Sequence, residues 1–107
     1  MGSTVGARYA SGTVIATNAD LEIRVVDFQP KRVVVKNRTS LAELAWNETM
    51  ADAAGWKQVA AGTRTLVSSD GITPLDASST EPPGFQIGAL TDINDTTTET
   101  LEWEAWG

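Results

Sequence analysis

The sequence predicts an all-β fold, a single-domain antiparallel β-sandwich of jelly-roll or immunoglobulin-like type with about eight short strands. Three observations predict it. Apolar residues alternate with polar ones over short stretches such as LEIRVV and LEWEAW, which is the period of a half-buried strand. β-Branched residues gather in short runs, most densely at Val33, Val34 and Val35. Turn formers separate these runs at Asn18–Ala19–Asp20, Gln29–Pro30, Asp70–Gly71 and SSTEPPG.

At 107 residues the chain fits one domain, and no internal repeat or long linker divides it. Residues 1–10 are small and polar and are expected to form a flexible N-terminal arm, leaving 11–107 as the sandwich. GTVIATN reads as the first strand, with Val14 and Ala16 on one side and Thr13 and Ile15 on the other. In the next, Leu21, Ile23 and Val25 oppose Glu22, Arg24 and Val26. A phase change or bulge near Val25–Val26 would bring Phe28 to the inner face. Pro30 ends that strand because it cannot donate to a ladder. The valine run in RVVVKN suits a strand covered on both faces, or one that partners another chain.

LAELAWNETMADAAG admits two readings. Leu41, Leu44 and Ala45 have helical spacing and Ser40 with Glu43 would make a capping box, yet all-β neighbours favour a strand over 41–47. A loop or short helical turn then covers 48–54. Trp56, Val59 and Leu66 are the apolar residues that next fit a core. Thr73–Pro74–Leu75 is extended, and Pro82 and Pro83 stiffen a loop. Phe85 and Ile87, bracketed by Gly84 and Gly88, form a short strand. In the last strand Leu101, Trp103 and Ala105 face inward, while Glu102, Glu104 and Trp106 face outward. The core anchors are therefore Phe28, Val33, Val35, Phe85, Ile87 and Trp103.

The residue inventory argues against chemistry. With no cysteine and no histidine, the chain lacks the thiol nucleophile, the commonest general base and the commonest zinc ligand. Glu102 and Glu104 stand two apart on one strand face, within the carboxylate spacing that glycosidases use. An outward acidic face is the simpler reading, and it discourages pairing with other chains. Asp92, Asn94 and Asp95 resemble the opening of a calcium loop, but Thr97 and Trp103 stand where that loop needs Gly and Glu. A turn capping its own backbone accounts for them better. No catalytic residue, metal or cofactor is expected.

Charge is divided along the chain. Residues 1–40 hold six Lys/Arg against three Asp/Glu, whereas 41–107 hold two against eleven, for a net charge of −6. Such a protein is a poor nucleic-acid ligand overall, but a basic face could dock on an acidic protein surface. Lys31, Arg32, Lys36 and Arg38 flank the valine strand and are the candidates for that face, with Arg8 and Tyr9 of the arm and Trp106 beside them. Four tryptophans also invite a carbohydrate reading. For Trp46 and Trp56 the alternation does not decide between core and surface.

No apolar stretch has the length of a membrane span, and MGSTVGARYASGT has no signal-peptide character, so the chain is expected to be made in the cytosol without secretion or membrane association. The sequons at Asn37, Asn47 and Asn94 then read as coincidences of a Thr-rich composition.

Several of these positions together resemble a small β-sandwich domain of tailed-bacteriophage virion proteins. The matching residues are Phe28, Pro30, Val33, Val35 and Lys36, then Gly84, Phe85, Ile87, Gly88 and Asn94, and finally Trp103 and Ala105, spanning 11–107. The resemblance implies a noncatalytic structural role. Size and the lack of shaft repeats favour a capsid decoration (cement) protein over a tail fibre. Its expected place is the capsid exterior of the virion, its partner the major capsid protein, and its state a homo-oligomer on the lattice. The other expectation is a tail-associated module that binds a receptor or glycan.

Overall fold

In the computed structural model, residues 8–24 and 28–107 are described. The strands are β1 (Tyr9–Ile15), β2 (Leu21–Ile23), β3 (Arg32–Asn37), β4 (Glu43–Asn47), β5 (Ala54–Gln58), β6 (Arg64–Leu75), β7 (Gly84–Ile87) and β8 (Thr100–Trp106). All neighbours are antiparallel, in the order β1-β8-β3-β4-β5-β6-β7-β2. The all-β antiparallel class and the eight strands are as the alternation predicts. One continuous sheet supplies the facing layers by curling into a half-barrel around the core.

The inner face follows from period two. β3 pairs with β8 so that Val35 stands opposite Trp103 and Val33 opposite Ala105. β4 adds Trp46 beside Val33 and Leu44 beside Val35. Phe85 and Ile87 from β7 close the other wall, and the Phe85 and Trp103 rings meet edge to face at 5.7 Å. All six expected core anchors are buried, with Phe28 at the rim. Gly12 has a specific task here: a Cβ on it would stand 2.8 Å from the Trp103 ring, so only glycine lets β1 lie over the indole. Gly84 is as tightly held, since a Cβ would come within 2.0 Å of the Ile23 carbonyl oxygen on β2.

Several sequence expectations change. β1 takes in Tyr9 and Ala10, which were expected in the arm; residues 1–7 and the phase change at Val25–Val26 lie outside the described residues. No helix forms among the described residues. The stretch at 48–54 is two tight turns closed by Met50 N–H donating to the Asn47 carbonyl and Ala54 N–H to the Ala51 carbonyl. Ser40 caps no helix; its hydroxyl donates to the Asp92 carbonyl.

Asp70–Gly71 does not reverse the chain either. It is a bulge inside β6, where the partner of β5 jumps from Val67 opposite Gly55 to Ile72 opposite Ala54. Asp70 takes φ 61°, and Gly71 N–H donates to the Ala53 carbonyl at 2.9 Å. The extra residues bend β6 so that Ile72 to Leu75 pair with β7.

Two buried asparagines tie the loops to the core. Asn94 is fully buried; its amide donates to the carbonyls of Ala19 (2.8 Å) and Gly88 (3.2 Å), and its oxygen accepts from Thr17 N–H (2.7 Å). Asn37 donates to the Ile93 carbonyl (3.0 Å) and to Glu99 (2.9 Å), while its oxygen accepts from the N–H groups of Thr39 and Ser40. Asn94 therefore ties distant backbone together inside the core, where the sequence suggested a turn capping its own backbone. Burial of Asn37 and Asn94 also takes two of the three sequons out of reach.

Candidate functional site

The outward-facing residues of β1, β8, β3, β4, β5 and β6 form a surface whose layout follows from the strand registers. One row reads Tyr9, Trp106, Arg32, Asn47 across β1, β8, β3 and β4. The next reads Ser11, Glu104, Val34, Ala45, Trp56, Leu66. A third reads Thr13, Glu102, Lys36, Glu43, Gln58, Arg64.

The first row holds an aromatic–cationic corner. The Tyr9 and Trp106 rings lie 5.4 Å apart, and the Arg32 guanidinium stands 4.6 Å from the Trp106 ring centre. A cation over the indole face is held by the ring quadrupole, and the planar guanidinium stacks there well. Lys31 joins this end, its N–H donating to the Trp106 carbonyl at 2.7 Å. Arg8 does so as well, its carbonyl accepting from Gly107 N–H at 2.9 Å. Five sequence candidates thus lie at this end of the sheet, Tyr9, Arg32 and Trp106 in side-chain contact and Arg8 and Lys31 placed there by their backbone bonds. Tyr9 is 55% exposed, as suits a contact residue.

Lys36 and Arg38 are placed differently. They lie on the same face, but β8 pairs beside β3 and sets its acids among them. Lys36 stands between Glu102 and Glu43, and Arg38 Nε binds Glu102 at 2.5 Å. The uniformly basic strip that the linear sequence implies is therefore a mixed one, and only the Tyr9–Trp106–Arg32 corner keeps a cationic–aromatic character. Glu104 accepts from the Tyr9 hydroxyl at 2.8 Å, so it supports the corner. The Arg38–Glu102 pair is about half exposed on both sides and contributes little to stability.

Trp56 and Leu66, expected in the core, face outward; they are 46% and 56% exposed. Val59 is only partly buried. The reason lies on the neighbouring strand β4. Leu44 fills the space over Gly55, where a Cβ would meet it at 2.6 Å, so the small residue points inward and Trp56 outward beside Ala45. A shallow groove there is lined by Glu43, Ala45, Trp56, Gln58 and Arg64. Lys57 takes the inward direction and reaches Asp92 at the mouth of the half-barrel, 3.6 Å away. Trp46, by contrast, is buried, and its indole N–H donates to the Ala51 carbonyl at 3.2 Å. That removes it as a sugar platform.

Among the described residues no group of three or more His, Cys, Asp or Glu is arranged to hold a metal ion. Among these residues, too, no helix is long and apolar enough to cross a membrane. No protein-family model, curated protein or solved structure matches this chain.

Proposed function

We propose that this protein is a noncatalytic virion structural protein that binds the outside of a phage capsid and stabilises it, with the major capsid protein as its partner. The observation that carries the docking role is the Tyr9–Trp106–Arg32 corner at one end of the sheet. Trp, Tyr and Arg are the residues that most often dominate protein interfaces, and a trio already packed together loses little side-chain freedom on binding. The capsid as partner is supported by the resemblance of residues 11–107 to phage virion domains. Many copies on a repeating lattice can share modest individual contacts and still add up to a stabilised shell.

Co-sedimentation with undecorated heads of the phage that encodes the chain tests this. Wild-type protein is expected to pellet saturably. Arg32→Glu or Trp106→Ala is expected to weaken binding about 30-fold or more while leaving thermal unfolding close to wild type. Protein that stays in the supernatant at saturating heads would overturn the reading.

A tail-associated glycan-binding role is the second reading, favoured by the exposed Trp56 beside Glu43, Gln58 and Arg64. An aromatic platform with hydrogen-bonding groups at its edge suits a sugar ring. Glycan binding that disappears in Trp56→Ala would favour it over the capsid.

A further inference from the structure

The two edges of the sheet are built in opposite ways. β2 has three residues, and its flank is guarded by charge: Arg24 binds Glu22 at 3.0 Å and Glu81 at 3.4 Å, and donates to the Pro82 carbonyl at 2.7 Å. Short length and charge are the usual protections of an edge strand. β1 has neither. Its seven residues, YASGTVI, include no charge and no proline.

The hydrogen-bond parity shows what β1 offers. Gly107 N–H donates to the Arg8 carbonyl and Ala16 N–H to the Glu99 carbonyl, one at each end of the β1–β8 ladder. In an antiparallel pair, residues that exchange bonds alternate with residues that point their groups away. The even-numbered residues of β1 therefore bond to β8. Tyr9, Ser11, Thr13 and Ile15 turn their N–H and C=O groups toward the edge of the sheet, which no other strand pairs among the described residues.

We propose that this edge pairs with itself, joining two copies of the chain antiparallel through Tyr9–Ile15 with Gly12 facing Gly12 on a two-fold axis. In that register Tyr9 faces the second copy's Ile15, Ser11 faces its Thr13, and Ala10 faces its Val14. The outward-turned residues face one another, so each such pair exchanges two backbone hydrogen bonds. Aromatic against β-branched and hydroxyl against hydroxyl are favourable cross-strand pairs. The exposed side chains of Tyr9 (55%) and Ile15 (51%) gain cover from each other. A second copy fits better than an acidic partner strand, because Glu102 and Glu104 stand one strand in from the edge on the outer face. The interface is isologous and closes as a dimer. It rests on the strand edge alone, so its failure would leave the co-sedimentation result untouched.

Sedimentation equilibrium combined with amide hydrogen exchange tests the pairing. The mass is expected to rise from 11.4 kDa to twice that value with concentration. In the same range the amides of Tyr9, Ser11, Thr13 and Ile15 are expected to slow at least about ten-fold, as newly bonded amides do. Ser11→Pro and Thr13→Pro each remove an N–H that faces only the open edge, a place where strands tolerate proline. Either variant is expected to keep its cooperative unfolding and remain a monomer. A wild-type mass of 11.4 kDa up to millimolar concentration overturns the proposal. So does a dimer in which those four amides exchange as fast as in the monomer, or one that persists in a folded proline variant.

Discussion

Trp103→Ala is expected to lower the unfolding free energy by about 4 kcal/mol, within the range for truncating a large buried aromatic. The indole lies 4% exposed between Gly12 of β1 and Val35 of β3, with the Phe85 ring edge-on to it. It therefore touches both walls of the half-barrel. Its loss leaves a cavity that β1 cannot fill, because Gly12 has no side chain to move inward. A domain of this size has about 5–15 kcal/mol in total, so the change removes a large share. The melting temperature should fall by roughly 20 °C. Trp56→Ala is the internal control: on the outer face it should cost less than about 1 kcal/mol. Urea unfolding of both variants followed by far-UV circular dichroism checks the pair; equal losses would contradict the assignment of faces.

Asn94→Ala is expected to cost about 2–3 kcal/mol. The side chain is completely buried and bridges Thr17 and Ala19 to Gly88. Alanine fills less space and removes three hydrogen bonds, each worth about 0.5–1.5 kcal/mol net, although the Gly88 carbonyl keeps the Leu90 N–H as a donor at 2.9 Å. Thr17 and Ala19 lie at the surface, where their backbone groups can turn to water, which keeps the total below a sum over all the bonds. The same unfolding experiment checks it. Asn94→Asp should be no better than Asn94→Ala, because a carboxylate would face the Ala19 and Gly88 carbonyls. A fully stable Asn94→Asp protein would contradict the tie.

The fold was legible in the sequence wherever alternation alone decides which way a side chain points. LEWEAW places Leu101, Trp103 and Ala105 inward without reference to any partner, whereas the unbroken valine run of RVVVKN has no alternation, and only its pairing with β4 and β8 separates Val33 and Val35 from Val34. The misread positions depended on partners distant in the chain. Trp56 turns outward because Leu44 fills the space over Gly55, a contact with no trace in the local pattern. Asp70–Gly71 serves equally well in a reversal or a bulge, since both need a left-handed residue, and only the pairing of β6 with two neighbours separates them. Asn94 looked like a surface turn residue because the groups that satisfy it begin at Thr17. The candidate site was half legible for the same reason. Tyr9, Arg32 and Trp106 could be named, but the closing strand's acids come to lie among Lys36 and Arg38 only through the β3–β8 register.

That register limits how the surface can bind. A uniformly basic strip would attract any acidic surface and lose its grip steeply with salt. A mixed strip with one aromatic–arginine corner favours a partner with a matching pocket and depends less on ionic strength.

A cryo-EM map of the intact particle tests the central claim most directly. The account predicts density for this eight-stranded half-barrel on the outside of the capsid shell, with Tyr9, Arg32 and Trp106 against the capsid protein. Density for the fold on the tail, or on the shell with that corner turned to solvent, would contradict it.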